Sequence, residues 1–298
     1  MNTAKTPKFY RQRLILALLE QSGGSLSKMD FQKLLFLLHQ EAGFQYYVFV
    51  PYRYGCYSYQ AAEDIRTLEL LGWLKTGAKD IALRQSADIA NLLPSEQIDR
   101  LSQFYDTYRT LRGRELIKYV YERHPYYAIY SEMAGDLVDK KILLEIESRK
   151  PKKKETTLYT IGYEGITFEA YLNKLIQNNV CLLCDVRKNP ASRKFGFSRR
   201  TLSRILPKFD IAYIHLPDLG IESGKRKKLL TDADYEALFK EYRNLLPRKN
   251  KFLTQVLGLL EKYQRIALTC FESEPEMCHR HCISDYLEKH EKARVVHL

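Results

Sequence analysis

The chain has 298 residues, of which 45% are hydrophobic and 28% are charged, and its formal net charge is +12. This composition is typical of globular proteins and excludes collagen-like and disordered chains, while the length suggests two domains. No apolar run reaches the roughly 18 residues of a membrane helix, and the polar, basic N-terminal residues lack the apolar core of a signal peptide. We therefore expect a soluble, cytoplasmic protein that makes no membrane contact.

The positive charge is concentrated in the C-terminal half. Residues 151–298 contain 27 Lys and Arg against 18 Asp and Glu, whereas residues 1–150 contain 21 against 18. The stretch 187–228 alone holds 12 basic residues and 3 acidic ones. Localised positive charge favours a polyanion, so it predicts nucleic acid as the partner, DNA in preference to RNA. A solvated basic face is the alternative, and nothing in the sequence indicates an oligomeric state.

A charged segment containing Pro151, ESRKPKKKETT, divides the chain. It predicts an N-terminal domain over 1–147, a basic linker over 148–157 and a C-terminal domain over 158–298. In the first domain the apolar pattern predicts a helix at Lys8–Gln21 and a second helix after Ser27, which pairs with Asp30 as in a capping box.

The remainder of the N-terminal part continues this pattern. The alternating aromatic residues 44–58 predict a hairpin or wing, and a third helix is expected to end at Gly72, followed by a short strand. Residues 85–147 predict a helical extension. Through KLLFLLHQ and LELLGWL, the order of helix, turn, helix and wing resembles the winged-helix-like domains of phage-associated and SocA-type antitoxin proteins. That resemblance implies DNA or protein binding and no catalysis.

Strands and helices alternate in the C-terminal part. LYTIGYEG, VCLLCDVR, AYIHLPDLG, RIALTCFE and ARVVHL predict strands, and residues 232–263 predict one long helical region. Such alternation predicts an α/β fold with a mostly parallel, doubly wound sheet. Ligands bind outside the carboxyl ends of the strands in sheets of this kind.

Four successive strands of this sheet end in polar or charged residues. Because the carboxyl ends of parallel strands meet at one edge, we expect these side chains to converge there. From their positions, the substrate-binding candidates are Gly162, Tyr163, Glu164, Arg187, Ser192, Arg193, His215 and Asp218. For His215, a hydrogen-bonded core histidine is the alternative.

The motifs TIGYEG, DVRKNPASRKFGFS, HLPDLG and CFESEPEMCHR occur in this order along the C-terminal part. Together they resemble the successive motifs of the domain-of-unknown-function 488 family, DUF488. The family's first motif reads closer to TIGHS, so Tyr163 and Glu164 depart from it. The resemblance implies an α/β fold for this part of the chain and assigns no reaction.

The motif CFESEPEMCHR supplies most of the candidate catalytic groups. Pro275 suits the first turn of a helix, so His279 and Arg280 would lie near a helix N-terminus, where an anion is favoured. Arg280 can also bind a phosphate or carboxylate through two hydrogen bonds. Alternatively, Arg280 forms a buried bridge with Glu272 or Asp185.

Asp185 and Arg187 alternate on a strand end and therefore share a face. Asp185 could act as a general base or orient a water molecule, and pairing with Arg187 or Arg193 is the alternative. The catalytic candidates are Asp185, Glu272, His279 and Arg280.

The basic loops predict contacts to nucleic acid. Phe195 and Phe197 interleave with charged residues, and a ring beside a cation is the combination that binds bases and phosphates; core packing of the rings is the alternative. The candidate nucleic-acid-binding residues are Lys188, Lys194, Arg199, Arg200, Lys225, Arg226, Lys227 and Lys228.

The sequence predicts neither a metal nor a cofactor. Cys181 and Cys184 lie three apart on a strand, so they point to opposite faces. Cys278 and Cys282 could share a helix face, but two further zinc ligands at a known spacing are missing. Walker, GxGxxG, HExxH, GxSxG and deaminase motifs are also missing.

These features together favour a nucleic-acid-directed hydrolase that uses no metal. One version is a DNA glycosylase acting in DNA repair, in which Asp185 or Glu272 positions water and Arg280 or His279 stabilises the departing base. A non-enzymatic winged-helix DNA-binding regulator, whose α/β domain senses an anionic ligand, is the second hypothesis. An interaction protein of a defence or toxin–antitoxin system is the third.

Overall fold

The chain folds into two compact units, Met1–Lys150 and Pro151–Leu298. The structure is a computed structural model that describes residues 7–86, 88, 93–152, 154–226, 231–291 and 293–298. None of the helices in those ranges is long and apolar enough to span a membrane.

The N-terminal unit combines helices with short antiparallel strands. Its elements are α1 (Tyr10–Gln21), β1 (Ser25–Ser27), α2 (Lys28–Glu41), β2 (Val50–Tyr52), β3 (Gly55–Tyr57), α3 (Tyr59–Leu70), β4 (Leu74–Thr76), β5 (Asp80–Leu83), α4 (Ser95–Tyr108), α5 (Gly113–Arg123), α6 (Ala134–Leu137) and α7 (Lys140–Arg149).

Two small sheets lie in this unit. Strands β1, β5 and β4 form an antiparallel sheet in that order, and β2 and β3 form a separate two-stranded hairpin. The hairpin expected in the aromatic stretch 44–58 is formed by β2 and β3. A second hairpin, β4 and β5, follows α3, where the sequence predicted one short strand. Ser27 caps α2 by accepting a hydrogen bond from the Asp30 amide, whereas the Asp30 carboxylate accepts from the Gly113 amide at 2.7 Å and does not complete the predicted capping box.

The C-terminal unit alternates strands with helices. Its elements are β6 (Thr157–Gly162), α8 (Phe168–Gln177), β7 (Leu182–Asp185), α9 (Arg199–Ile205), β8 (Ala212–His215), α10 (Ser223–Arg226), α11 (Asp232–Leu245), α12 (Asn250–Tyr263), β9 (Arg265–Cys270), α13 (His279–Glu291) and β10 (Val295–His297).

The five strands that the structure describes in this unit are all parallel, in the order β10-β6-β9-β7-β8. Leu182 and Cys184 of β7 pack in one core with α11, α12 and α13. Thr269 of β9 faces the other side of the sheet, where Tyr171 of α8 donates a hydrogen bond to it at 2.8 Å. Both faces are therefore covered by helices, and the α/β fold expected from the sequence is confirmed.

In the N-terminal unit, α1 begins at Tyr10 instead of Lys8, and α3 ends at Leu70 instead of Gly72. Two helical boundaries of the C-terminal unit also differ from the sequence-based expectation. The region 232–263 is two helices, because Pro247 lacks an amide proton and lies in a 3₁₀ segment at Leu246–Lys249 that separates α11 from α12. Pro275 begins a short 3₁₀ turn, and the α-helix itself starts only at His279. This places His279 in the first turn of α13.

Candidate functional site

The carboxyl end of β7 carries a buried ion pair. The side chain of Asp185 is 0% exposed, and its Oδ2 lies 2.6 Å from a guanidinium nitrogen of Arg187. A second guanidinium nitrogen, Nε, donates to Oδ1 at 2.8 Å, so the pairing is bidentate. Tyr213 of β8 also donates its hydroxyl to Oδ2, at 2.7 Å. The pairing with Arg187 that the sequence left open as an alternative is therefore the observed arrangement.

Tyr213 extends this network to the neighbouring strand. Burial and the Asp185 carboxylate raise its pKa well above the usual tyrosine value, which keeps the phenol protonated and donating. The main-chain amide of Arg187 also donates to Oδ1, at 3.2 Å, so the two carboxylate oxygens of Asp185 accept four hydrogen bonds.

Arg187 links the ion pair to Tyr163, which follows β6, and to Phe197 in the basic loop that follows β7. It donates to the hydroxyl of Tyr163 at 2.8 Å and to the carbonyl oxygen of Phe197 at 2.9 Å. The Tyr163 ring is stacked on the Phe197 ring, with centroids 4.3 Å apart and planes 9° apart. Both rings are buried. Phe197 therefore packs in the core, whereas Phe195 is 37% exposed.

His215 lies beside the same loop at the end of β8. Its Nε2 is 2.9 Å from the carbonyl oxygen of Arg187, so that nitrogen carries the proton and donates. Its Nδ1 is 3.4 Å from a guanidinium nitrogen of Arg199. This hydrogen-bonded histidine holds the start of the basic loop in place.

Two cysteines and a histidine form a separate buried cluster. Nδ1 of His279 lies 3.7 Å from the sulfur of Cys270 and 3.8 Å from that of Cys278. Its Nε2 lies 3.1 Å from the carbonyl oxygen of Val186. Burial and the neighbouring Cys270 raise the pKa of the Cys278 thiol well above its usual value. Without a bound cation, Cys278 is therefore a neutral thiol and a poor nucleophile.

Arg280 is fully buried and holds the loop after β9. It donates to the main-chain carbonyl oxygens of Glu272 and Ser273, at 2.5 and 2.7 Å. Gly162, at the end of β6, lies directly against this loop: a Cβ on Gly162 would be 1.8 Å from the Glu272 oxygen. Arg280 thus bonds to the main chain of Glu272, and the side-chain bridge to Glu272 or Asp185 is not among its hydrogen bonds.

A cavity of about 290 Å³ opens at the carboxyl edge of the sheet. Its wall combines the end of β6, the basic loop after β7, and the residues around Cys270 and His279. The lining residues are Tyr163, Arg187, Lys188, Asn189, Ala191, Ser192, Arg193, Ile221, Cys270, Phe271 and His279.

The wall of this cavity is positively charged. Lys188, Arg187 and Arg193 line it, and no acidic residue occurs among its lining residues. The charge of Arg187 is matched by Asp185, whereas Lys188 and Arg193 are exposed. Phe271 adds an aromatic ring that is 41% exposed. The cavity therefore offers two cations and a ring face to an anionic ligand.

A second cavity of about 300 Å³ shares Lys188 with the first. Lys225 lies in its wall and pairs with Glu241 at 2.6 Å. Lys249, also in the wall, has a pKa lowered by burial and by the nearby charge of Lys188. The two cavities share Lys188 and Ile221, and the wall of the second contains Glu222 and Glu241 beside its three lysines, so its charge is mixed.

The other candidates from the sequence lie around these cavities. Glu164 is exposed and accepts a hydrogen bond from the Ser273 amide at 3.2 Å. Asp218 is exposed, and its carbonyl oxygen accepts a hydrogen bond from Lys249. Lys194 donates to the carbonyl oxygen of Tyr163 at 2.5 Å.

The remaining nucleic-acid-binding candidates lie on two helices or beyond the described residues. Arg199 and Arg200 are exposed on the first turn of α9. Arg226 ends α10, and Lys227 and Lys228 lie outside the described residues.

Part of the C-terminal unit matches a known protein family. Residues 167–287 match the family model described as domain of unknown function DUF488. The C-terminal unit contains a DUF488 domain. The match includes β7, β8, β9 and most of α13, and so it includes both the ion pair and the cysteine–histidine cluster of the DUF488 domain. No curated protein matches the chain.

Several residues of the DUF488 domain were missed by sequence reasoning. Tyr213 lies two residues before His215 on one strand, so the shared face was a signal that it would reach Asp185. Asn189 and Phe271 line the cavity, but neither residue type stands out in a sequence. The sequence also paired Cys278 with Cys282, whereas the structure brings Cys278 to Cys270 and His279.

Proposed function

We propose that the DUF488 domain is a nucleic-acid-directed hydrolase that receives one nucleotide in the cavity at the carboxyl edge of its sheet. The observation that supports this is the charge of the wall, in which Lys188 and Arg193 are exposed and no acidic residue takes part. A phosphate group is the anion that such a wall suits best, since Arg binds it in a bidentate manner and Lys as a point charge.

A base is favoured over a simple anion because of the aromatic residue in the wall. Phe271 exposes 41% of its surface beside the cations. Stacking on such a ring is worth about 1–3 kcal/mol per base and tolerates any sequence. The cavity volume of about 290 Å³ is at the small end of ligand sites, which suits one nucleotide rather than a duplex. A flipped-out or single-stranded nucleotide meets this requirement.

The hydrolytic part of the proposal is supported by the reactive groups in the wall. Cys270 and His279 both line the cavity. The Asp185 carboxylate is already hydrogen-bonded to Arg187 and Tyr213. We therefore assign water activation to the groups around His279. Glycosidic bond cleavage and release of a base remain the reaction that we propose for this site.

Binding is tested with a fluorescent single-stranded oligonucleotide and the full chain. Lys188→Ala and Arg193→Ala should each weaken binding by about three- to tenfold and reduce the slope of log affinity against log salt by about 0.7, the value for one lost phosphate contact. Lys262→Ala is the matched control, because Lys262 is exposed near the amino end of β9, on the opposite edge of the sheet. A flat salt response would remove nucleic acid from the proposal.

Turnover is tested by mass spectrometry of oligonucleotides that carry modified or damaged bases. Release of a free base, lost in Arg193→Ala and retained in Lys262→Ala, supports the glycosidic reaction. Intact oligonucleotides throughout, with binding preserved, reject the hydrolase.

One observation favours a second candidate function. Asp185 and Arg280, two of the four catalytic candidates, hold main chain and side chains together in the interior. A domain built in this way suits a non-enzymatic DNA-binding regulator that senses an anionic ligand in the cavity. For this candidate, a mononucleotide should bind with a 1:1 stoichiometry and change the affinity for DNA, with no product formed.

A further inference from the structure

The sulfur and nitrogen atoms of the cysteine–histidine cluster are spaced like the ligands of one metal ion. The ligand atoms of Cys270, Cys278 and His279 all lie within 4.8 Å of one another, and the two S–N distances are 3.7 and 3.8 Å. In a tetrahedral zinc site, with Zn–S near 2.3 Å and Zn–N near 2.0 Å, the sulfur and nitrogen atoms lie about 3.6 Å apart. Both S–N distances are therefore within about 0.2 Å of the separation in such a site.

The hydrogen bond on the far side of the imidazole sets the correct tautomer. The Val186 carbonyl oxygen can only accept, so Nε2 of His279 must carry the proton and donate across the 3.1 Å contact. In the neutral ring this leaves the lone pair on Nδ1, the atom that faces both sulfurs. Metal-bound histidines are oriented in this way by a carbonyl or carboxylate on the other ring nitrogen.

The main chain also brings these ligands together in advance. Cys270 is the last residue of β9, and Cys278 and His279 follow after a loop that returns to the same strand end. Arg280 holds that loop through the carbonyl oxygens of Glu272 and Ser273. Ligands positioned by a strand end, a helix start and an anchored loop lose little entropy when a cation binds.

We propose that Cys270, Cys278 and His279 bind a single Zn²⁺ ion that keeps one coordination position open to the cavity. Two sulfurs and an imidazole are soft and borderline donors, a set that suits zinc and disfavours magnesium and calcium. Three protein ligands with an open fourth position are the pattern of catalytic zinc sites. Cys270 and His279 line the cavity, so water can fill the fourth position from that side.

This site depends on the geometry of three side chains and not on which ligand the cavity takes. A zinc ion here would lower the pKa of its bound water to about 7. It would thereby supply the water activation that Asp185, engaged by Arg187, does not. The proposal thus replaces the metal-free chemistry expected from the sequence with a metal-assisted one.

The test titrates the full chain with Zn²⁺ or Co²⁺ alone, after purification under reducing conditions and treatment with a chelator. We expect one equivalent of metal per chain, and Co²⁺ should give thiolate-to-cobalt charge-transfer absorption with the intense visible bands of a tetrahedral site. Cys270→Ser and Cys278→Ser should each weaken zinc binding by about a hundredfold or more and remove most of that absorption. Circular dichroism confirms that each variant is folded.

Cys282→Ser is the matched control. Cys282 is buried on the same helix, but its sulfur lies 3.4 Å from Nε2 of His281 and outside the cluster. This variant should retain both the stoichiometry and the spectrum.

Two results would overturn the proposal. The first is a reduced wild-type protein that takes up no zinc and shows no charge-transfer band. The second is a reduced protein in which Cys270→Ser and Cys278→Ser bind zinc as tightly as the wild type, because the ion would then lie elsewhere. None of these readouts includes nucleic acid, so failure here is distinguishable from failure of the proposed function.

Discussion

Buried charge decides what individual residues of this protein can do. Asp185 and Arg187 are almost completely buried, yet each has several hydrogen-bond partners. A buried pair of this kind adds little net stability over apolar side chains, but the loss of one partner leaves a buried charge uncompensated. The sequence could locate these two residues at a strand end. It could not show that Tyr213 and Phe197 would complete their coordination, because those contacts depend on the strand order.

Asp185→Asn should therefore destabilise the C-terminal unit. We expect the free energy of unfolding to fall by about 3–5 kcal/mol, because the Arg187 guanidinium loses its buried counter-charge. Hydrogen exchange of the β6, β7 and β9 amides measures this.

Asp210→Asn is the control, since Asp210 is exposed at φ 58°, a left-handed conformation that Asn tolerates well. An Asp185→Asn variant that keeps its stability and loses only turnover would instead identify Asp185 as a catalytic group.

Lys33 of α2 represents the opposite case of a buried charge. It is 2% exposed and donates to the carbonyl oxygen of Cys56 at 3.2 Å. Burial lowers its pKa below the ordinary value of 10.5. Between the lowered pKa and the ordinary one, the unfolded chain binds more protons than the folded chain, so stability rises with pH in that interval.

Lys33→Met removes this dependence. The stability of the wild-type protein relative to the variant should improve as the pH rises from neutral to about 10. Denaturant unfolding followed by the fluorescence of Trp73, the one tryptophan in the sequence, measures the N-terminal unit.

Lys118→Met is the matched control for Lys33, because the Lys118 side chain is 45% exposed and pairs with Glu122 on the surface of α5. A difference between wild type and Lys33→Met that stays constant with pH would contradict the lowered pKa.

At the scale of the elements, the sequence predicts the alternation of the C-terminal unit well. Strand positions follow from short apolar runs, because a strand inside a sheet that is covered on both faces consists mainly of apolar residues. The order β10-β6-β9-β7-β8 could not be predicted, since it depends on which crossovers the helices make. The break at Pro247 was available from the sequence and was missed because the apolar pattern continues through it.

The cysteine–histidine cluster was missed for a related reason. Cys278 and His279 are adjacent and lie eight and nine positions after Cys270, a separation that no single strand or helix brings into contact. Only the loop that turns back to the end of β9 brings them together. A search for ligand residues on both sides of a strand-to-helix loop would have found CFESEPEMCH.

The close approach of β6 to this loop gives a prediction for two elements at once. Gly162→Ala should destabilise the C-terminal unit by about 2 kcal/mol or more, because the new Cβ would overlap the Glu272 carbonyl oxygen. It should also weaken metal binding, since the same loop carries the cysteine–histidine cluster.

Gly258→Ala is the control for Gly162, because that glycine lies in α12 with open space around it. There, alanine should be neutral or stabilise the helix by up to about 1 kcal/mol. Equal stability of the two variants in hydrogen exchange would contradict the close packing.

For the whole molecule, the division into two units predicts that a protease cuts first in the segment between them. Lys152 and Lys154 are exposed between α7 and β6, and the bond after Lys150 is protected by Pro151. Brief trypsin treatment should therefore give two resistant fragments that separate after residue 152, 153 or 154, as mass spectrometry would show. The helix α7 extends to Arg149, so the segment between the elements is shorter than the linker predicted over 148–157.

A variant with glutamine at 152, 153 and 154 should lose this early cleavage. Progressive degradation without stable fragments would argue against two independently folded units.

Arg280 has a practical consequence for handling the protein. It holds the loop after β9 through carbonyl oxygens in a fully buried setting, where dissolved ions screen little. Concentrated salt should therefore weaken contacts of the exposed lysines and arginines with any polyanion while the interior keeps its shape. Preparations cleaned in this way should remain suitable for metal analysis.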